Sequence, residues 1–163
     1  MYSTVKVKQI LDRKGYQVWS IDPEQSVIDA LRFMSEKNIG AAMVMAQGEL
    51  VGIFSERDYA RKVVLHGRNE ENTRVKDVMT NKVIGVNVND DIERCLVLMT
   101  GKFIRHLPVV DEGGKIVGVI SIGDVVKELI AEQEFVIDQL VHYVDGDKPK
   151  PLIPDKTETD LSP

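Results

Sequence analysis

The sequence predicts an α/β fold of the α+β kind: two similar β-α-β-β-α halves in tandem, extended by a C-terminal helix. Two observations predict it. Val51-Gly52-Ile53-Phe54-Ser55-Glu56-Arg57-Asp58 returns sixty-six positions later as Val117-Gly118-Val119-Ile120-Ser121-Ile122-Gly123-Asp124. Val27, Leu31, Met34, Lys37 and Ile39 return at an offset of sixty-five as Ile92, Leu96, Met99, Lys102 and Ile104. Self-similarity at a fixed period marks a duplicated structural unit.

The elements follow in order. Val7 to Leu11 has a counterpart in Val75 to Met79 and opens each half. Val18-Trp19-Ser20-Ile21 and Val83-Ile84-Gly85-Val86 read as the first strands. Ser26 to Asp29 has the spacing of a capping box, opening a helix with Val27, Leu31 and Met34 on its apolar face. Ala41 to Ala46 and Leu50 to Ser55 are short apolar runs around Gln47-Gly48, a hairpin signal. Leu107 to Val110 and Lys115 to Ser121 repeat it around Glu112-Gly113-Gly114, one residue longer, as a turn tolerates. Pro108, lacking an N–H, implies that its strand lies at an edge or starts there. Helices continue from Asp58 to Leu65 and from Asp124 onward. The halves are thus 7–66 and 75–144, with a Gly- and Asn-containing linker at 67–74. The last helix is expected to reach Val144 with Ile137, Leu140 and Val141 on one side, packing on its own domain or on a second subunit. The Pro-, Lys- and Asp-rich tail, 145–163, is expected to be disordered.

The chain has 163 residues, a formal charge of −5, 43% apolar and 29% charged residues, the profile of a globular protein. A net acidic chain is a poor partner for nucleic acid or an anionic membrane. No apolar run is long enough to span a bilayer, and the first residues lack the apolar segment of a secretory signal. With one cysteine there is no internal disulfide; the cytoplasm is the expected compartment.

Gly-x-x-Ser-x-x-Asp carries the chemistry, and it has two readings. Ser55 with Asp58, and Ser121 with Asp124, are spaced as an N-cap and an N3 acid and would simply cap their helices. The functional reading gives the same residues other work. A short carboxylate accepts hydrogen bonds from ribose hydroxyls, and a serine at a helix N-terminus suits a phosphate. The glycine three residues before each serine would let a ligand approach the backbone. Double occurrence in one strand–loop–helix context favours the nucleotide.

On these two loops and on Ile104-Arg105-His106-Leu107-Pro108-Val109, the chain resembles a tandem cystathionine-β-synthase (CBS) domain pair, or Bateman module, from about Val7 to Ile130. The resemblance implies a pseudo-twofold axis, two clefts, adenosine-containing ligands (AMP, ADP, ATP, NAD or S-adenosylmethionine) and a homodimer. It places Ser55 and Asp58, with Arg57 nearby, opposite Val83, Ile84, Ile104, Arg105 and His106. The mirror cleft pairs Ser121 and Asp124 with Val18, Trp19, Ile39, Gly40 and Ala41. Only the first has cationic groups, so unequal sites are expected, with the anionic nucleotide in the first.

Other residues read as structure. Cys95 falls on an apolar helix side as a small hydrophobe. His66, His106 and His142 lack metal-ligand spacing, and no metal is required. Trp19 reads equally as sheet filler and as adenine packing, and Tyr59 as helix packing. There is no Walker loop and no nucleophile–base constellation. The expected function is a non-catalytic energy or redox sensor that binds an adenine nucleotide and acts on a separate effector protein. The alternative is a ligand-independent dimeric scaffold.

Overall fold

The computed structural model describes Ser3 and residues 5–134. The expected helix to Val144, His142 and the 145–163 tail lie outside these residues. The chain up to Glu128 is one compact unit. From Leu129, the described residues complete a final helical turn, in which the Gln133 N–H donates to the Ile130 carbonyl.

The elements are α1 (Val7–Lys14), β1 (Ser20–Ile21), α2 (Val27–Lys37), β2 (Ala41–Ala46), β3 (Glu49–Ser55), α3 (Glu56–Asp58), α4 (Val75–Val78), β4 (Val86–Asn87), α5 (Ile92–Lys102), β5 (His106–Val110), β6 (Ile116–Ser121) and α6 (Ile122–Glu132). Two three-stranded sheets result, β1-β2-β3 and β4-β5-β6, each with one parallel and one antiparallel pairing. Both hairpins shift register, at Val44/Met45 and at Val109/Val110. These positions are equivalent at the sixty-five-residue offset. Gln47 and Gly48 turn the first hairpin at φ 52° and 78°, and Gly114 turns the second at 80°.

The opening helices cross over. α1 packs on β6 of the second half, and α4 on β3 of the first. Val75 and Val78 accordingly join Ile21, Val27, Met34, Val44 and Phe54 in the first core. The same exchange appears in the backbone: Lys6 bridges to Asp91, and Ser26 to Arg74. The Val7 N–H donates to the Asp90 carbonyl, and the Val27 N–H to the Thr73 carbonyl.

This exchange corrects the expectation for the motif glycines. A Cβ on Gly52 would stand 2.7 Å from Met79 Sδ, and one on Gly118 would stand 2.6 Å from Leu11 Cδ2. The missing side chains admit the other half's helix, not a ligand.

Three local expectations also change. Pro108 is the third residue of β5, the central strand of its sheet. β4 is only two residues long and pairs with Val109 and Val110, so β5 is open beside Pro108. In the first half the equivalent Met43 N–H donates to the Trp19 carbonyl at 3.1 Å. Proline cannot make that bond. Gly85, the counterpart of Ser20, is therefore left out of β4, and Val83 and Ile84 precede that strand. Val18 and Trp19 likewise precede the two-residue β1. Finally, the helix after β3 starts at Glu56 and is π-helical from Tyr59 to Val64.

Candidate functional site

β3 delivers Ser55 to the start of α3, where the helix leaves unpaired N–H groups. The Ser55 hydroxyl accepts the Asp58 N–H at 3.1 Å, and Asp58 Oδ2 accepts the Ser55 N–H and hydroxyl, each at 3.0 Å. The capping box is therefore real. Asp58 does more than cap. It is 7% exposed, and its Oδ1 accepts the Thr80 hydroxyl at 3.0 Å and pairs with Lys62 at 2.9 Å. Its carboxylate is thus fixed in place at a cavity.

That cavity, about 290 Å³, lies between the halves. Ser55, Arg57 and Asp58 line it from one side; Val83, Ile84, Ile104, Arg105 and His106 line it from the other. All eight residues expected in the first cleft thus meet around one space. Val83, Ile84 and Ile104 are half-buried and form an apolar floor, while Arg57 and Arg105 are exposed. The Arg57 guanidinium donates to the Phe103 carbonyl at 2.5 Å, tying the two halves together at the rim.

Thr80, Lys82, Phe103, Ile53 and Glu56 also line the cavity. Sequence reasoning missed them. Thr80 and Lys82 lie within three residues of Val83, so the placement of Val83 and Ile84 in the cleft was the available signal. Phe103 had none: it closes α5 in the left-handed region at φ 55°, a conformation rare for an aromatic.

The mirror cleft is different. Gly40 and Ala41, assigned there, line the first cavity. The physical reason is register, since Ala41 pairs with Ser55 across β2 and β3. Val18, Trp19 and Ile39 do not line that cavity. Trp19 meets Phe33 edge to face at 6.0 Å and lies under Lys37 Nζ at 4.4 Å, which favours its reading as filler. The Ser121–Asp124 box repeats the first, with the Ser121 N–H on Asp124 Oδ2 at 2.8 Å and the Asp124 N–H on the Ser121 hydroxyl at 3.2 Å. Lys14 Nζ sits 2.6 Å from Asp124 Oδ2. Burial pushes the Asp124 carboxyl up, but the Lys14 ammonium and the Ser121 bonds together outweigh it and hold it below the usual carboxylate range.

His106 stands between the two motifs: it pairs with Ser121 across the sheet, and its Cε1 is 3.6 Å from the place of a Gly40 Cβ. Burial pushes its pKa below the ordinary 6.5, and the Lys14 and Arg105 charges push the same way, against Asp124. The folded state thus favours the neutral ring. Below the ordinary pKa the unfolded chain binds the proton first, so stability falls as pH drops through that range. The melting temperature of a His106→Gln variant should decline less between pH 7 and pH 5.5 than that of the wild type.

Cys95 is fully buried and burial pushes its thiol up to about 11, leaving it inert as a nucleophile. Among the described residues no group of three His, Cys, Asp or Glu is placed to hold a metal ion. No described helix is long and apolar enough to cross a membrane.

Comparison with known proteins agrees with the geometry. The CBS domain model matches twice, over residues 7–65 and 75–131. The CBS domain-containing protein CBSX3, mitochondrial, of Arabidopsis thaliana is 41% identical over 128 residues, covering 76% of this chain and 62% of its own length. The chain thus spans about three-fifths of that relative. YhcV of Bacillus subtilis, also a CBS domain-containing protein, is 33% identical over 72% of this chain and 83% of its own. A solved CBS-domain protein from Burkholderia ambifaria superposes with a TM-score of 0.76 at 45% identity, covering 79% of this chain and 96% of that one. Doubled sheets, exchanged helices and paired Ser–Asp loops have one common source: this chain belongs to the CBS domain family, as a tandem pair.

Proposed function

We propose that this chain is a non-catalytic regulatory module that binds an adenosine-containing nucleotide in the cleft between Asp58 and Arg105. The observation that carries it is the cavity itself. A buried, fixed carboxylate faces an apolar floor, and Arg57, Lys82 and Arg105 ring the opening. A nucleotide needs these three things: an acceptor for ribose hydroxyls, an apolar slot for the base and cations for phosphate. At about 290 Å³ the space is at the small end of ligand sites, which run from roughly 300 Å³ upward. Phosphates would extend over the cationic rim, so AMP, ADP, ATP and NAD all remain candidates. Two proteins of the same fold support the ligand class by analogy. One, from Pyrobaculum aerophilum, is complexed with AMP (21% identity, TM-score 0.68). The other, MJ0100, is complexed with 5′-methylthioadenosine and S-adenosyl-L-methionine (22%, TM-score 0.69).

Binding between the halves would favour one arrangement of the pair over another, which is the requirement for a sensor. The module would act as a homodimer on a separate effector protein. Exposed Val64, Leu65, Val97 and Val126 supply apolar surface for such contacts.

The cap-only scaffold has its own support: Ser55, Thr80 and Lys62 already occupy Asp58. Thermal stability separates the two readings. A sensor gains melting temperature with a specific nucleotide by mass action, and a scaffold gains none with AMP, ADP, ATP, NAD or S-adenosylmethionine. The charge assignment has a separate check. Arg105→Ala should weaken AMP at least about tenfold, the scale of one charge-assisted bond, and adenosine much less. Equal losses would remove the phosphate role from Arg105.

A further inference from the structure

We infer that Lys14 closes the second cleft, and that it is the residue which makes this pair a one-site binder. The inference rests on the nucleotide reading of the first cleft and explains why the second motif differs.

The asymmetry begins in the opening helices. Leu11 and Met79 are equivalent, each filling the space over a motif glycine. α4 ends at Val78, and the chain turns extended at Met79, with ψ 161°. Thr80 can then pair with Ile53 backbone to backbone, at 2.8 and 3.0 Å, and present its hydroxyl to Asp58. Ile53 and Thr80 become cavity wall. α1 instead runs on to Lys14 before Gly15 ends it at φ 109°. The second half therefore lacks that backbone wall.

Lys14 takes over the two donor roles that Thr80 has in the first half. Its ammonium donates to the carbonyl of Val119, the counterpart of Ile53, at 2.9 Å, and to Asp124 Oδ2 at 2.6 Å. One side chain thus holds the strand carbonyl and the motif carboxylate together. Asp58 has an ion pair too, with Lys62 at 2.9 Å, but Lys62 comes from the motif's own helical segment, four residues on. It reaches the Met79 carbonyl at 3.5 Å rather than a strand carbonyl, and is not among the residues lining the cavity. α1 is held firmly enough to aim Lys14. Leu11 is fully buried over Gly118, and Arg13 bonds both oxygens of buried Glu128 at 3.1 Å. A ribose that approached Asp124 would have to displace an ion pair before it gained its own hydrogen bonds.

The test is calorimetric titration of the full chain with AMP and with adenosine, using wild type, Lys14→Ala, Lys14→Arg and Lys14→Ala/Asp124→Ala. Lys14 is about half exposed, so these variants should fold, and thermal melts check this. The expected result is one ligand per wild-type chain and two per Lys14→Ala chain, the added site at least about tenfold tighter than any second-site binding in wild type. Lys14→Arg keeps the cation and should keep one site. The added site should vanish in the double variant. Two ligands per wild-type chain, one per Lys14→Ala chain, or an added site that survives loss of Asp124 would each overturn the inference. If wild type binds nothing and Lys14→Ala gains one Asp124-dependent site, the first-cleft reading falls and the role of Lys14 stands. If neither binds, both fall.

Discussion

Asp58→Ala abolishes the nucleotide-dependent rise in melting temperature and lowers the melting temperature of the ligand-free protein. The two effects have separate causes. At a nucleotide concentration a hundredfold above Kd, mass action adds about 2.7 kcal/mol of stability, and the variant should lose all of it. The ligand-free loss comes from the cap. Asp58 is buried and accepts the Ser55 N–H and hydroxyl, the Thr80 hydroxyl and the Lys62 ammonium. Removing an N-terminal capping partner costs about 1–2 kcal/mol, with the stranded Thr80 hydroxyl adding to it. Comparing each variant with its own ligand-free melt separates the effects. Lys76→Ala, at an exposed pair with Glu24, serves as a control that should change neither. An Asp58→Ala protein that still responds fully to nucleotide would return the motif to a plain helix cap.

Gly118→Ala should destabilise the protein by about 1–3 kcal/mol, a large effect for one methyl group, because overpacking a filled core forces its neighbours off their rotamers. The new Cβ would meet Leu11 Cδ2 at 2.6 Å and Cδ1 at 2.9 Å, and Leu11 is fully buried. Leu11→Ala alone should cost about 2–5 kcal/mol by leaving a cavity. In that background Gly118→Ala should cost almost nothing, so chemical denaturation of the four proteins should show strong coupling. Gly52 provides the contrast. Its Cβ would meet Met79 Sδ at 2.7 Å but also the Thr80 carbonyl oxygen at 3.0 Å. Trimming Met79 therefore rescues Gly52→Ala only in part. Additive losses at Gly118 and Leu11 would mean that the exchanged helix is not what the glycine accommodates.

These results bear on what was legible beforehand. The duplication was, because apolar periodicity and turn residues are local signals, and the helices and hairpins follow them. The first cleft was legible as residues: Asp58, Ile84 and Arg105 meet around one cavity. The glycines were misread because close approach by a ligand and close approach by a helix leave the same mark on a sequence. The exchange that decides between them is a contact between the halves, Gly52 with Met79 and Gly118 with Leu11, and neither is local in sequence. Gly40 and Ala41 were not expected in the first cavity for a related reason: strand register, not the repeat, brings Ala41 beside Ser55. Pro108 looked like an edge residue, and locally it is one, since β4 stops short beside it. The closing of α1 at Lys14 rather than at Ile10, the counterpart of Val78, is a four-residue difference in the repeat, and only geometry shows that it delivers an ammonium to Asp124.

The exchange of opening helices also orders events on the ribosome. α1 is made before the other elements of the pair, yet its seat on β6 does not exist until roughly a hundred more residues have emerged, about 5–20 s later at usual synthesis rates. Over that interval Val7, Ile10 and Leu11, all buried in the finished protein, have no native partner on β6. α4, by contrast, emerges after β3 and can dock at once, completing the first half's core while the second is still being made. The nascent pair should therefore become protease-resistant in two steps, with α1 protected last.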